Sequence, residues 1–538
     1  MEQGDLRLAG EIVTLVPYPH VLRRQPGRFA LRSATGVTGD AELARVVRDV
    51  LDRLPWPTGG EEPAEGSGAG EVVVERDSAL RAEGYRLRVG PERMLIEAAG
   101  PAGAFYAAQT IRQLLPANAW RAAPVGEGRW GGWGIDCVEI EDQPATGWRG
   151  AHLDVSRHFF PKPTVLRFID MLAAHKLNRL HLHLTDDQGW RIGSGRYPAL
   201  RDIAAYRPST MVGKNWDLQD GIPHGGYYTL ADLAEISEYA RRRMVTVVPE
   251  VEVPGHARAL LTALPELGAA PGARAHSVAT TWGIFPDIMS PMPTTLDFLG
   301  EVFGELLAAV PASFVHIGGD ECVVTDWETD PRIAGYQKEL GLPSAEALHA
   351  YFLRQVADLL ADNFGARAIV WDEGFTSTST GTGLRPDTAV MAWHGMEVAR
   401  KAALAGYDVV ATPIMPLYFD NAQSHDTGEP LGIGGVVSIE DVAAFSPVPE
   451  DWSDEALGHL LGAQFQLWSE YIPDARALDY MTFPRAAAFA DVTWSGRPVS
   501  WSDGDHPLRD RVAAHLPRLA AAGVEYRPLA GPHPWQRR

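Results

Sequence analysis

Eight short apolar segments alternate with amphipathic stretches of helical spacing from Trp148 onward. This alternation is typical of a parallel sheet, because each pair of parallel strands needs a crossover connection that helices usually supply. Eight such units in roughly 350 residues predict an α/β fold, a (β/α)8 TIM barrel. The predicted strands are RGAHLDVS, RLHLHLTDD, TVVPEVE, FVHIGGDE, AIVWDEG, AVMAWHG, DVVATPIMPLYFD and GAQFQLWSE.

The residues before the barrel predict a small N-terminal α+β domain, because strand and helix patterns alternate there without βα repetition. A loop is expected at 58–70, and the boundary is expected in the Gly- and Trp-rich segment 126–134. We therefore predict an α+β domain at 1–145, the barrel at 146–500, and a C-terminal extension packing on the barrel at 501–538. The predicted strands are EIVTLVP, RFALRSA, EVVVERD, GYRLRVG and RMLIEAA, and the helices are AELARVVRDVLDRL and GAFYAAQTIRQLL.

Composition limits the classes of partner. The net charge of −21 opposes binding to nucleic acid, which needs a basic surface. No apolar run reaches the roughly 18 residues that cross a bilayer, and the first residues lack a signal-peptide pattern. We expect a cytoplasmic protein that binds a small neutral molecule, neither nucleic acid nor membrane, although a trimmed N-terminus would give the same pattern. Two cysteines make a disulfide framework unexpected.

Polar residues end nearly every predicted strand. The carboxyl ends of barrel strands converge on one face, where the active sites of such barrels lie. We therefore expect many acidic side chains to lie together at the carboxyl end of the barrel, which we call the mouth. The strand-end residues are Asp154, Asp186, Asp187, Glu252, Asp320, Glu321, Asp372, Glu373, His394, Tyr418, Asp420 and Glu470.

The segment HIGGDEC carries the strongest local signal, since two glycines allow a tight turn that places Asp320 and Glu321 side by side at the rim. Neighbouring carboxylates resist ionising together, so one pKa is expected to rise toward the value of a general acid. The alternative is a helix N-terminus at which the acids complement the helix dipole. Capping alone does not require the two glycines.

Three tryptophans, Trp371, Trp393 and Trp468, lie at or near the ends of predicted strands. Indole rings complement the apolar C–H faces of pyranose rings, while polar groups hold the hydroxyls. The alternative is that they are core aromatics. Arg149 begins the first barrel strand, where a guanidinium could bind vicinal hydroxyls or form a structural ion pair.

A histidine and aspartate set invites a metal-site interpretation. It comprises His181, His183, Asp186, Asp187 and His256. We expect these side chains to lie on different sides of the alternating strand residues, whereas metal ligands converge. The sequence therefore favours a hydrogen-bonded network that tunes the acid, with no metal and no cofactor.

The barrel motifs together resemble glycoside hydrolase family 20, the β-N-acetylhexosaminidases. The resemblance covers the chain from Trp148 to about Ser495, and the first domain is similar to the family's small companion domain. It rests on RGAHLDVSRHFFP, KLNRLHLHLTDDQGWRI, GGYYTLADLAEISEYARRRMVTVVPEVEVPGH, HIGGDEC, VWDEG and WSEYI, which occur in the family's order.

The resemblance implies an exo-acting, retaining hydrolase for terminal N-acetylhexosamine, either GlcNAc or GalNAc. Glu321 would be the general acid and then the base, while Asp320 would orient the acetamido N–H so that its carbonyl oxygen attacks the anomeric carbon. An oxazolinium intermediate would form. The other implied roles are acetamido binding by Tyr418, pocket walls from Trp371, Trp393 and Trp468, hydroxyl binding by Arg149, Asp420 and Glu470, and support of Glu321 by Asp186 and His256.

Two residues depart from the family pattern. Leu182 stands where the family often has tryptophan, and Glu252 stands where aspartate is usual. The implied partner is an aminosugar-terminated oligosaccharide or glycoconjugate, bound by a monomer or homodimer that recycles chitin- or glycan-derived sugars. Two alternatives stay open: a metal-dependent barrel hydrolase, and a catalytically inactive sugar-binding protein.

Overall fold

The computed structural model gives two compact units along the chain. One comprises Met1–Ala145 with Ala486–Leu529, and the other comprises Thr146–Arg485 with Ala530–Arg538. In the part of the chain that is described, no helix combines the length and the hydropathy needed to cross a membrane. The described residues are 14–56, 70–124, 132–269, 277–377 and 383–537.

The first unit is α+β, as predicted. Its six-stranded sheet has the order β1-β6-β4-β5-β3-β2. Helix α1 begins where the Asp40 carboxylate accepts hydrogen bonds from two backbone N–H groups, and its buried face carries Leu43 and Val47. The elements are β1 Val21–Arg32, β2 Val37–Gly39, α1 Ala41–Leu51, β3 Glu71–Arg76, β4 Tyr85–Val89, β5 Arg93–Ala98, α2 Pro101–Leu114, a 3-10 helix at Ala117–Trp120, and β6 Gly132–Asp142.

Three predictions for this unit need comment. Residues 14–17 of the predicted strand EIVTLVP are not a strand, and its first three residues lie outside the described part. All but the last residue of the loop 58–70, and most of the segment 126–134, also lie outside it. Strand β6 was missed, because the glycines and tryptophans at its start read as a linker.

The second unit contains a closed barrel of eight parallel strands, which confirms the predicted fold. All eight predicted strands are present. The barrel closes where its last strand pairs with its first, with Gly462 beside Trp148. The strands of this unit are β7 Trp148–Asp154, β8 Arg179–His183, β9 Thr185–Asp186, β10 Gly189–Trp190, β11 Tyr206–Arg207, β12 Met211–Val212, β13 Asn215–Gln219, β14 His224–Gly225, β15 Thr246–Glu250, β16 Phe314–His316, β17 Arg367–Trp371, β18 Ala389–Ala392, β19 Asp408–Ala411 and β20 Leu460–Phe465. Strands β7, β8 and β15–β20 form the barrel, and β9–β14 form three small two-stranded sheets in its loops.

Helices follow the barrel strands, as the sequence pattern predicts. Helix α10 is typical: Ser344 caps its start, and Gly365 ends it in the left-handed conformation that glycine adopts without strain. The helices are α3 Lys162–Ala174, α4 Pro198–Asp202, α5 Leu230–Arg241, α6 Arg258–Ala263, α7 Pro293–Ala309, α8 Thr325–Thr329, α9 Pro331–Glu339, α10 Ala345–Phe364, α11 Asp372–Thr376, α12 Met396–Leu404, α13 Ile414–Leu417, α14 Ile439–Ala443, α15 Asp454–Gly458, α16 Ala475–Thr482, α17 Arg485–Ser495 and α18 Leu508–Ala521, with a 3-10 helix at Pro265–Leu267.

After the barrel, Ala486–Leu529 group with the first unit. Within this segment a buried ion pair joins α17 and α18, since Arg511 donates to both carboxylate oxygens of Asp491, at 2.7 and 2.6 Å. Arg511 also donates to the Leu15 carbonyl, 3.1 Å away. These contacts tie α18 to the first described residues. The domain boundaries at 145 and 500 stay predictions.

Candidate active site

The strand-end acids are positioned by the turn after β16. Gly318 and Gly319 have φ values of 67° and 96°, and Glu321 itself has a φ of 51°. Left-handed backbone is costly for a residue with a Cβ and persists where the surroundings enforce it. The turn therefore presents Asp320 and Glu321 together at the carboxyl end of the barrel, as the sequence predicts.

The two acids differ in ionisation. Burial and the neighbouring Glu321 charge raise the pKa of Asp320, although His256 opposes the rise. Burial also favours the neutral form of Glu321, but its hydrogen bond to His256 and the charges of His256 and Arg157 outweigh this and hold its pKa below the usual value. The expected rise thus falls on Asp320 and not on Glu321.

His256 links Glu321 to a buried pair of aspartates. Its Nε2 lies 3.4 Å from Glu321 Oε2, and its Nδ1 lies 3.0 Å from Asp187 Oδ2 and 3.5 Å from Asp186 Oδ1. Burial opposes protonation of this ring, but the acids raise its pKa well above the usual value. The predicted support of Glu321 by His256 is therefore present, with Asp187 as the nearer aspartate.

The expectation that the histidines lie on different sides of their strand is wrong. His183 Nδ1 makes a short hydrogen bond to Glu250 Oε2, and His181 Nε2 lies 3.0 Å from the same oxygen. His183 Nε2 also donates to Asp186 Oδ2 at 2.8 Å. Residues two apart on a strand share a face, so both rings point into the barrel and converge on Glu250.

Several of these groups lie close enough to hold a cation. Ligand atoms lie within 4.8 Å of one another in Asp186, Asp187 and His256, and again in His256, Asp320 and Glu321. A histidine must offer a ring lone pair to a metal. Both nitrogens of His256 instead face carboxylates, as in a protonated ring that bridges them. The geometry is that of a hydrogen-bonded network.

The three predicted tryptophans meet beside this network. Trp371 and Trp468 have ring centroids 5.8 Å apart, and Trp393 packs against the same cluster. Trp371 is buried, and its indole N–H donates to Glu250 Oε1 at 3.1 Å. Trp393 and Trp468 are partly exposed, so these two rings provide the accessible aromatic wall.

Three carboxylate oxygens in this mouth are buried yet accept no hydrogen bond from any described residue: Asp320 Oδ1, Asp420 Oδ1 and Glu470 Oε2. Burial and mutual repulsion raise the pKa of Asp420 well above its usual value. Tyr418 lies nearby, with its ring centroid 6.3 Å from that of Trp393. Buried acceptors without donors are costly and rare, so these oxygens fit a ligand rich in hydroxyl or N–H groups.

Arg149 does not have the sugar-binding position that the resemblance implies. It is fully buried at the start of β7, where Nε donates to the Lys176 carbonyl at 3.0 Å and Nη1 donates to the Thr146 carbonyl at 2.6 Å. These groups lie at the amino end of the barrel strand, opposite the acids. Its side chain satisfies backbone carbonyls and cannot reach the mouth, so it binds no sugar hydroxyl.

Arg157 is the arginine that the sequence analysis missed. Its Nη2 lies 2.8 Å from Asp186 Oδ2, and the guanidinium lies 4.9 Å from the ring centroid of Trp468. Two backbone N–H groups, of Ser156 and Arg157, donate to Asp154 and fix this loop. Nη1 makes no hydrogen bond to a described residue, which leaves one buried donor among the acceptors. The sequence could have indicated Arg157, because the motif DVSRHFF places it just after the first barrel strand.

Glu373 is a strand-end residue for which the sequence indicates no role. Its Oε2 accepts the Trp393 indole N–H at 2.7 Å, which fixes the orientation of that ring. Burial and the charge of Asp320 raise its pKa to about 8. Glu373 therefore positions one aromatic wall.

A proton donor beside buried oxygens that lack donors, under partly exposed indoles, suits cleavage of a bond to a sugar. The fold and this chemistry together define a glycoside hydrolase. Comparison with family models identifies the glycosyl hydrolase family 20 catalytic domain at residues 147–497 and the family's domain 2 at residues 13–143. The chain belongs to glycosyl hydrolase family 20.

Known proteins agree with this assignment. A β-hexosaminidase of Porphyromonas gingivalis is 34% identical over 524 residues, which are 96% of this chain and 64% of that protein. The Vibrio harveyi GH20 exo-β-N-acetylglucosaminidase in complex with N-acetylglucosamine has a TM-score of 0.81 at 28% identity, over 98% of this chain and 80% of that one. A mutant Streptomyces plicatus β-hexosaminidase in complex with product GlcNAc has a TM-score of 0.78 at 32% identity, over 96% and 97%.

Proposed function

We propose that this enzyme removes terminal, non-reducing β-linked N-acetylhexosamine, with retention, by using the substrate's acetamido oxygen as the nucleophile. The observation that carries the proposal is the set of buried acceptor oxygens around Glu321, above all Asp320 Oδ1 beside it. The named relatives are β-hexosaminidases or bind N-acetylglucosamine. Recycling of aminosugars from chitin or glycans is the biological role proposed with it.

Asp320 and Glu321 have separate tasks in this mechanism. Asp320 accepts the acetamido N–H, which turns the carbonyl oxygen toward the anomeric carbon. Glu321 gives its proton to the glycosidic oxygen as that bond breaks and the carbonyl oxygen bonds to the anomeric carbon, forming an oxazolinium ion. The Glu321 carboxylate then takes a proton from the water that opens the ion. Two inversions retain the configuration, and no protein carboxylate acts as nucleophile, as the family is an exception to the two-carboxylate scheme.

Substrate binding raises the pKa of Glu321, so that its carboxylate takes up a proton from solvent. The Glu321 side chain is 32% exposed without substrate, and His256 holds its pKa down. A sugar that covers this side chain removes water from it, and desolvation favours the neutral acid. Donation from His256 afterwards stabilises the carboxylate that has given up its proton.

The remaining residues hold a single terminal sugar. Asp420 and Glu470 accept hydroxyl protons, Arg157 donates to a hydroxyl oxygen, and Trp393 and Trp468 cover the apolar face. Tyr418 donates to the acetamido oxygen. Asp320 Oδ1, Asp420 Oδ1 and Glu470 Oε2 then each gain a hydrogen-bond donor from the substrate.

The proposal is tested by hydrolysis of p-nitrophenyl N-acetyl-β-glucosaminide, N-acetyl-β-galactosaminide and β-glucoside. We expect turnover only with a 2-acetamido group, and losses of at least about a hundredfold in Glu321→Gln and Asp320→Asn, since each removes a group that acts in the transition state. Glu328→Gln, an exposed acid in α8, is the matched control and keeps full activity. Equal rates on the plain glucoside would exclude the mechanism.

Exhaustive chelation separates this proposal from a metal-dependent hydrolase. We expect the rate on the preferred substrate to be unchanged, because every proposed step uses side chains of this chain. A loss that added divalent cations restore would favour the metal-dependent alternative.

A further inference from the structure

Two glutamates at the end of β15 are buried alike but have different partners. Glu250 is 0% exposed and Glu252 is 1% exposed. Residues two apart on an extended segment point to the same side. One oxygen of Glu252 lies within 4.8 Å of an oxygen of Glu250 and of a ring nitrogen of His183. Both carboxyls therefore share one low-dielectric region, where two negative charges repel strongly.

Glu250 has the partners that an ionised carboxylate needs. His183 donates to it through a short bond, and the Trp371 N–H donates to its other oxygen. Ring nitrogens of His181 and His316 lie 3.0 and 2.8 Å from its oxygens, although that of His316 also accepts the Gly318 N–H. Burial opposes its ionisation, but these histidines hold the pKa of Glu250 well below its usual value.

Glu252 has one donor. The Gly319 N–H donates to Oε1 at 2.9 Å, and Oε2 is buried without a hydrogen bond to any described residue. The charged or titratable groups that face it are Asp320, Glu250, His183, His256 and the Cys322 thiol. Neither histidine bonds to it, since each is engaged by other carboxylates.

The carboxyl group of Glu252 also fills the space under the catalytic turn. A Cβ at Gly318 would come 1.7 Å from Glu252 Oε1. Its Oε1 accepts from Gly319, and the next two residues are Asp320 and Glu321. The Gly318 N–H and carbonyl are bonded to His316 and to the Trp371 backbone, so Glu252 is the partner that holds the next residue, Gly319, of the turn that carries both catalytic acids.

We propose that Glu252 is a positioning residue that holds the catalytic turn as a neutral carboxylic acid. An isolated buried carboxylate with one amide donor is costly, whereas the neutral acid keeps that acceptor and gains an O–H that can donate. Asp320 already lies near the negative charges of Glu321 and Glu250. Because a neutral Glu252 adds no third charge, Asp320 can ionise and accept the acetamido N–H. The activity readout of this inference rests on the proposed function.

The pair Glu252→Gln and Glu252→Met separates neutral positioning from bulk packing. Glutamine keeps the acceptor for Gly319 and is neutral at every pH, so we expect it to retain kcat within about threefold and the wild-type pH profile. Methionine removes the acceptor, and kcat should fall by about tenfold or more while KM changes less than threefold. If glutamine loses as much as methionine, the charge is required and the proposal is wrong. If methionine keeps wild-type kcat, the positioning role is wrong.

Glu250→Gln is the matched control, since it makes the same chemical change two residues away. We expect it to lose activity, because it removes an ionised centre that three histidines surround. A Glu250→Gln variant that behaves like Glu252→Gln would contradict the assigned difference between the two carboxyls.

Infrared difference spectroscopy of wild type against Glu252→Gln tests neutrality without any assay of turnover. At neutral pH we expect the wild type to show a carbonyl band of a protonated carboxylic acid that the variant lacks. A carboxylate band in its place would overturn the proposal. This readout stands whether or not the enzyme acts on N-acetylhexosamines, so it fails separately from the proposed function.

Discussion

Among single residues, Asp420, which we propose to bind substrate, lowers the stability of the fold when it is ionised. It is 4% exposed, its Oδ1 has no donor among described residues, and Glu470 repels its charge. Folding therefore raises its pKa, so the folded state holds the proton more tightly than the unfolded chain. Stability is lost as pH rises through the window above the unfolded pKa of about 3.9.

Asp420→Asn is expected to be more stable and less active. The variant carries no ionisable group there, so its gain in the free energy of unfolding over wild type should be small near pH 4 and on the order of 1 kcal/mol or more at pH 7, with Tm rising in parallel. Its kcat/KM should fall, since an amide is a poorer acceptor for a sugar hydroxyl. Melting curves at both pH values check this, and a gain that is equal at both would contradict it.

Arg149 and Arg157 are expected to respond in opposite ways to the same substitution. Arg157→Met should lower kcat/KM by at least about tenfold, because a buried charge-assisted donor is lost. Arg149→Met should lower Tm and leave the kcat/KM of folded enzyme near wild type, because the carbonyls it satisfies lie at the other end of the barrel. Steady-state kinetics with melting curves decide between them, and a catalytic loss confined to Arg149→Met would reverse our assignment.

The acids were predictable from sequence, while the arginine and the ionisation states were not. Asp320, Asp420 and Glu470 lie in the segments that follow barrel strands, whose carboxyl ends converge by topology. Arg157 lies in the loop after β7, and only the folded loop shows where its long side chain reaches. Which acid has the raised pKa depends on His256, which comes from the loop after β15.

Among the elements, the turn after β16 packs so closely on Glu252 that it leaves no room for a side chain at Gly318. Gly318→Ala should abolish most activity, because its Cβ would collide with Glu252 and its φ of 67° disfavours a side chain. Gly335→Ala in α9 is the control, with nothing within 4 Å, and should stabilise slightly. Kinetics and circular dichroism of both variants check this; a fully active Gly318→Ala would refute the close fit.

Element predictions succeeded where the pattern repeats. The barrel strands were identified because βα alternation recurs eight times, so each unit supports its neighbours. Strand β6 was missed because its first residues, Gly132 and Trp133, have no repeating context. Its partner β1 precedes it by about a hundred residues, and pairing at that separation leaves no local signal.

Across the barrel as a whole, the candidate active site lies at the carboxyl ends of the strands, and the amino ends have only structural contacts among the residues discussed. The acids, the partly exposed tryptophans and Arg157 belong to the carboxyl ends of the strands, while Arg149 serves the amino end. The resemblance to family 20 was visible from sequence and the family models confirmed it. The grouping of Ala486–Leu529 with the first unit could not be read from sequence, since it depends on contacts between distant residues such as Arg511 and Leu15.

In the mechanism that we propose, the substrate's acetamido oxygen attacks the anomeric carbon. The most direct test is kcat/KM for p-nitrophenyl N-acetylglucosaminides in which the hydrogens of the acetamido methyl group are replaced stepwise by fluorine. Each fluorine makes the carbonyl oxygen a weaker nucleophile. We predict that kcat/KM falls steeply with each fluorine, by orders of magnitude over the series. A rate that stays constant across the series would contradict the account.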